Sequence, residues 1–358
     1  MKKAQRILIW DSSVCDLLNN RVFGGIAVQL YFWAQIFSEQ GWKVYALTKH
    51  RSYTNNFMEF KFIKHFRGID FIFEWFYIIF YILTIKPDVV MARGAKRHVL
   101  PLAVCGKLLG TKVVFFGASD ANFTPGKELC GNKINKKLYQ KGIRLLKYIV
   151  TQNLYQTSTL NENYAKTSLQ MYNIWGKTDG FKTEYFRQSR YDVVWIANFR
   201  KLKRPEWFVH LAEEITEASF AIAGCTRDND YYENMRIRME KTAKGAFLGA
   251  IPFYAANELV RQAKILVCTS EFEGFPNTFL QAWSSNVPVV STVDPSRIIE
   301  KYNLGIVVSS EQGLHDAVRK LLYDTKLYKT MQSCIQAYFT ENHSAIIGFE
   351  RLINYIKE

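Results

Sequence analysis

Residues 265–283 read ILVCTSEFEGFPNTFLQAW. The apolar run Ile265–Cys268 suits a buried strand. The polar pair Thr269-Ser270 ends it. Gly274 permits a tight turn in which a backbone approaches a ligand closely. Pro276 suits the first turn of a helix, which continues through Phe279, Leu280, Ala282 and Trp283. Strand, short turn and helix make half of a βαβ unit, so a parallel sheet with crossover helices is expected. A helix N-terminus behind such a turn offers N–H donors and a favourable dipole to an anion. The turn from Gly274 through Phe275, Pro276 and Asn277 to Thr278 therefore reads as a diphosphate site. Glu273 is placed to accept hydrogen bonds from sugar hydroxyls, and Gln281 to meet a ribose. An ordinary strand–turn–helix with an exposed carboxylate would use the same residues without a ligand.

Moving outward, the alternation repeats. In the second half, strands are expected at Val193–Ala197, Ser219–Ala223, Gly245–Leu248, Ile265–Cys268, Pro288–Ser291 and Gly305–Val308. In the first half they are expected at Arg6–Trp10, Lys43–Leu47, Glu59–Ile63, Asp88–Met91, Lys112–Phe116 and Tyr148–Thr151. Between the halves, Gly176–Asp192 is polar and aperiodic, as a linker is. The fold class is thus α/β, with two Rossmann-like domains facing across a cleft. Residues 1–185 form the first, residues 186–340 the second, and residues 341–358 a C-terminal helix returning to the first. In open α/β sheets ligands bind beyond the carboxyl ends of the strands, so function belongs in the loops that follow strands.

Three such loops stand out. IANFRKLKRPEWFVHLA (196–212) is a strand end, a basic loop and a helix opened by Pro205. Lys201, Lys203 and Arg204 crowd the loop and offer charge-assisted contacts to phosphate. Gly24-Gly25 closes the long loop after the first strand. No G-x-G-x-x-G follows that strand, which argues against a dinucleotide cofactor. FGASD (116–120) ends a central strand and presents Ser119 and Asp120. Asp120 reads equally as a sugar-hydroxyl partner or as a turn aspartate. Arg93, at the end of another strand, is a candidate for an anionic acceptor group.

The segment around Glu273 resembles the donor-binding signature of the family-4 glycosyltransferases, retaining enzymes of the GT-B fold. Their motif is Glu, seven residues, Glu. Glu273 matches the first acid, and Gln281 stands at the second. Lys203 matches the family's diphosphate lysine. Asn198 falls where the family often has arginine, a cation that Arg200 or Arg204 would have to replace. In the family, a glycine pair like Gly24-Gly25 lies over the donor phosphates, and a polar residue near Ser119-Asp120 lies by the transferred sugar. The resemblance implies transfer of a sugar from a nucleoside diphosphate sugar to an acceptor hydroxyl with retention. Glu273, Asp120 and Lys203 would be the catalytic residues, Arg93 and Ser119 the acceptor side. It implies no cofactor and no metal, and bacterial capsule or lipopolysaccharide assembly as the setting. Two alternatives share the fold: a nucleotide-sugar 2-epimerase or hydrolase, and a non-catalytic sugar-nucleotide-binding protein.

Charge narrows the partners. The net charge of +15 is unevenly spread. Residues 1–185 hold 26 Lys+Arg against 12 Asp+Glu, and the remainder 21 against 20. A basic first domain attracts anionic lipid or acidic substrates. No recognition motif accompanies the basic residues, so no nucleic acid is expected. Lys133–Lys147 reads as a basic helix equally suited to solvent or to an anionic membrane, where each cation contributes about 1 kcal/mol. Phe71–Ile85 is an aromatic helix, better explained by burial than by membrane contact. It is shorter than the roughly 20 residues of a span. The apolar run of MKKAQRILIW is about four residues against the roughly 7–15 of a signal peptide. A cytoplasmic protein peripheral to the inner face of the plasma membrane, with a lipid-linked saccharide acceptor, is the expectation. The six cysteines are scattered, as in a reducing compartment. The six histidines are isolated in sequence. Asp228-Asn229-Asp230 resembles a metal-binding D-x-D but opens a helix, where acidic residues suit the dipole.

Overall fold

A computed structural model describes residues 4–19, 24–49, 55–64, 70–177, 191–225 and 229–358. The chain forms two compact units, Met1–Gly176 with Ser344–Glu358, and Lys177–His343. The expected linker falls mostly outside the described residues, as does Asp228.

The first unit is a parallel sheet of β1 (Arg6–Ile9), β2 (Lys43–Thr48), β3 (Met58–Phe62), β4 (Val89–Arg93), β5 (Lys112–Phe116), β6 (Tyr148–Thr151) and β7 (Leu169–Gln170). Their order is β3-β2-β1-β4-β5-β6-β7. The second unit contains β8 (Val193–Ile196), β9 (Phe220–Ala223), β10 (Gly245–Gly249), β11 (Ile265–Cys268), β12 (Val289–Ser291) and β13 (Gly305–Val307), ordered β10-β9-β8-β11-β12-β13. All its neighbours are parallel too. Every strand expected from the sequence is present. β7 was not expected, because two residues carry no period.

In each sheet the order reverses beside the unit's first strand, at β1/β4 and at β8/β11. Such switch points open a crevice at the strands' carboxyl ends. The strands are apolar on both faces because helices cover both faces. On one face of the first sheet, helices Asp70–Ile85, Val99–Leu109 and Lys133–Leu145 share a core with Leu8, Val90, Val113 and Phe115. Gly142 permits close approach of two of these helices, since a Cβ there would lie 2.7 Å from the Leu100 amide nitrogen. The C-terminal helix Ala345–Lys357 belongs to this unit. Phe349 packs edge-on against Phe37 and Trp42, and Lys112 Nζ donates to the Ile356 carbonyl at 2.6 Å.

Helix Asp70–Ile85 departs from the burial reading. Ile78, Tyr81, Ile82 and Ile85 are buried, but Ile72 is 68% and Phe76 59% exposed, with Ile79, Phe80 and Leu83 also exposed. The spacing of those five follows one helical face, so half of the apolar helix faces the core and half faces outward.

Candidate functional site

The second unit's switch point brings the two strongest sequence signals together. The loop after β8 forms a short 3-10 turn, Lys201–Lys203, and the loop after β11 runs Thr269 to Pro276. Three sets of hydrogen bonds bind the loops to each other. The Glu271 amide donates to the Leu202 carbonyl at 2.9 Å. The Thr269 hydroxyl reaches the Lys203 and Arg204 carbonyls at 2.6 and 2.9 Å while accepting from Trp195 Nε1 at 2.9 Å. Arg204 donates from Nε to the Thr269 carbonyl at 2.8 Å and from Nη2 to the Ser270 carbonyl at 3.3 Å.

On this frame Lys203 Nζ pairs with Glu273 Oε1, and Ser270 Oγ donates to the same carboxylate oxygen at 2.9 Å. Both partners are about four-fifths buried, with side-chain exposures of 18% and 20%. Removing two charges from water offsets most of their attraction, so such a pair is weak evidence of stabilisation. Pro276 caps helix Asn277–Trp283 rather than opening it. A proline has no N–H, so Pro276 itself offers no amide at this turn.

The remaining donor-side candidates are placed as follows. Arg204 has a left-handed backbone (φ +44°), and its guanidinium turns inward to the two carbonyls and stacks 4.2 Å from the Trp207 ring centroid. It splints the loops. Arg200 is exposed. Asn198 accepts from Cys225 Sγ at 3.1 Å. Gln281 is buried and donates to Asn257 Oδ1 at 2.5 Å.

In the first unit, Arg93 is fully buried at the end of β4. Burial pulls its guanidinium down to about 9. Its Nη2 donates to Asn173 Oδ1 at 2.7 Å, its Nε has no partner, and no carboxylate pairs with it among the described residues. Asn173 also accepts from Gln152, whose backbone amide donates to Gln156, and Gln156 and Asn153 donate to Asp120 Oδ1 at 3.0 Å each. Arg93 and Asp120 thus terminate one hydrogen-bonded chain. Ser119 precedes the short helix Asp120–Phe123, and its amide donates to Asn122 Oδ1 at 3.0 Å. Gly24 and Gly25 begin helix Gly25–Glu39, with Gly24 as its cap residue.

Sequence reasoning passed over a second crevice of this unit, a 150 Å³ cavity lined by Asp11, Lys49, Lys64, Tyr77, Lys96 and His98 among others. Asp11 is buried and pairs with Lys96 at 2.5 Å. Burial pushes its carboxyl up, but Lys96 and Ser13 outweigh that and hold it below the usual range. Burial and Lys96 drive His98 down to about 3, so it is neutral. Its sequence signal was Asp11 itself, the first polar residue after β1.

Known proteins share this architecture. Residues 190–324, most of the second unit, match the family described as glycosyl transferases group 1. A glycosyltransferase 1 domain-containing protein from Xenopus tropicalis is 25% identical over 157 residues, covering 42% of this chain; the chain spans under half of that relative, 46%. Among solved structures, sucrose-phosphate synthase from Thermosynechococcus elongatus superposes with a TM-score of 0.74 at 10% identity, covering 98% of this chain and 99% of that one. The catalytic domain of starch synthase IV from Arabidopsis thaliana, bound to ADP and acarbose, gives 0.72 at 11% identity with 100% of both chains covered. The fold is therefore that of GT-B glycosyltransferases, and residues 190–324 are similar to the glycosyl transferases group 1 family.

Proposed function

We propose that the protein is a retaining glycosyltransferase, which moves a sugar from a nucleoside diphosphate sugar to a hydroxyl of a saccharide acceptor. The observation that carries this reading is the Lys203–Glu273 pair, fixed by cross-bonded loops at the β8/β11 switch point. Lys203 and the amides after Glu273 stabilise the diphosphate as the bond from the anomeric carbon to its oxygen breaks and negative charge grows there. Glu273 orients the sugar through its hydroxyls. The bond to the acceptor oxygen forms as the acceptor hydroxyl gives its proton to the departing diphosphate oxygen. The transition state is oxocarbenium-like, as in glycoside hydrolysis. With this donor site the reaction needs no metal. Incubating the purified protein with nucleotide sugars, with and without saccharide acceptors, tests the reading. Acceptor-dependent product with the donor's anomeric configuration supports it. Donor rearrangement or hydrolysis without acceptor, or binding without turnover, replaces it with one of the alternatives that share the fold.

The acceptor belongs to the first unit. A buried guanidinium without a carboxylate partner is costly unless an anion completes it, so Arg93 suits an acidic acceptor group. Arg93→Gln should raise the acceptor KM about 10-fold or more and leave donor affinity unchanged. Steady-state kinetics with each substrate varied in turn check this.

The outer layer of the same unit supports a lipid-linked acceptor at an anionic membrane, and with it a peripheral place at the inner face of the plasma membrane in surface polysaccharide assembly. Helices Asp70–Ile85, Val99–Leu109 and Lys133–Leu145 pack side by side there. The first presents the apolar stripe from Ile72 to Leu83, the second adds exposed Leu108 and Leu109, and the third presents Lys133, Lys137, Lys141 and Arg144. No helix among the described residues is long and apolar enough to cross a membrane, so insertion of one face is the available mode. Changing Phe76 and Phe80 together to serine should reduce partition onto vesicles containing anionic lipid about 10-fold or more. Co-sedimentation measures this, and equal binding by the double variant would remove the membrane role of this face.

A further inference from the structure

The histidines looked isolated in sequence, but the second unit brings two of them together. His210 and Glu214 stand one turn apart on helix Pro205–Glu214. Glu311 and His315 stand one turn apart on helix Glu311–Tyr323. The helices pack against each other, and the two i,i+4 pairs meet in reversed order, so each imidazole faces a carboxylate of the other helix. His210 Nδ1 lies 2.8 Å from Glu311 Oε1, and His315 Nδ1 lies 2.6 Å from Glu214 Oε2. His210 Nε2 is also 3.2 Å from Glu214 Oε1, and the two rings lie 5.6 Å apart. One ligand atom each from His210, Glu311 and His315 falls within 4.8 Å of the others.

His315 is the informative member. Its side chain is 3% exposed, yet neither ring nitrogen makes an aligned hydrogen bond. Buried polar nitrogens are normally satisfied, and each exception requires an explanation. The Glu214 oxygen is close to Nδ1 but off the line a hydrogen bond requires. A metal ion shared with His210 and Glu311 would satisfy an imidazole nitrogen of His315 that no hydrogen bond satisfies. A tetrahedral Zn²⁺ holds nitrogen and oxygen ligands at about 2.0–2.2 Å from the ion, so these side chains would rotate to receive it. The side chains of His210 and Glu311 are 45% and 36% exposed, giving the ion a path in.

We propose that His210, Glu311 and His315 form a binding site for a divalent transition metal, with Zn²⁺ the best match to two imidazoles and a carboxylate, and with Glu214 beside His315. The ligands come from both helices, so the ion would clamp one to the other. One of them begins at Pro205, directly after the Lys203–Arg204 loop. The proposal stands on its own, whatever reaction the donor site performs.

The test uses tag-free full-length protein stripped with a chelator and dialysed. Titration with Zn²⁺ by calorimetry should show one saturable equivalent, accompanied by a rise in Tm. Co²⁺ should give the visible absorption of a tetrahedral site. His210→Gln and Glu311→Gln, both at partly exposed positions that tolerate replacement, should each weaken binding about 100-fold or more and abolish the Tm rise. His315→Ala should do the same if it folds, and the other two variants decide the matter if it does not. Absence of a saturable equivalent in the wild type, or unchanged binding in both glutamine variants, overturns the site.

Discussion

Lys203→Ala should lower affinity for a nucleoside diphosphate sugar about 10- to 100-fold, the range expected for loss of a charge-assisted hydrogen bond from a partly buried site. The change removes the cation and also leaves Glu273 without its counter-charge, beside the position of an anionic ligand. Both effects act against a diphosphate, so the upper part of the range is expected. The loop itself should survive. Its frame is made by Thr269, Glu271 and Arg204 through backbone carbonyls, and none of those bonds uses the lysine side chain. Titration calorimetry, or the ligand-induced rise in Tm, measures the loss. Asp228→Ala, which alters the D-x-D sequence, should bind donor like the wild type. If both variants match the wild type, the diphosphate is held elsewhere.

Glu273→Gln should act on kcat instead. An amide of the same shape still accepts one hydrogen bond from a sugar hydroxyl, so donor KM should change little. On the proposed reading the negative charge that orients the sugar is lost, and kcat should fall about 100-fold or more, in line with removal of other preorganised electrostatic groups. Lys203, freed from its partner, should hold the ground-state diphosphate at least as well as before. Retained donor binding with lost turnover is the signature to look for. Turnover within a few-fold of the wild type would reduce Glu273 to a partner for Lys203.

Much of this arrangement was legible in the sequence because strand ends and loops are local features. Short apolar runs bounded by polar residues marked every strand except β7, whose two residues, Leu169 and Gln170, depend on their neighbour β6 rather than on any pattern of their own. The Lys203 and Glu273 loops were each visible as strand-to-helix turns, and the strand order that places β8 beside β11 joins them. What stayed hidden was set by packing. Arg204 looked like a phosphate ligand because its charge is visible in sequence, whereas the inward turn of its guanidinium is not. The aromatic helix was expected to be buried because mean apolarity does not say how many faces are covered. His210 and His315 are separated by five intervening strands, and only the layer of helices on one sheet brings their rings together.

The splint made by Arg204 and Thr269 has a thermodynamic consequence. Two loops that wander independently must lose conformational freedom when a ligand brings them together, and that loss subtracts from affinity. Here the turns are already one rigid jaw before anything arrives, so little ordering remains to oppose capture. Lysine in place of Arg204 would keep the charge but not the planar fork that reaches two carbonyls. The jaw would then loosen while the sequence still looked conserved.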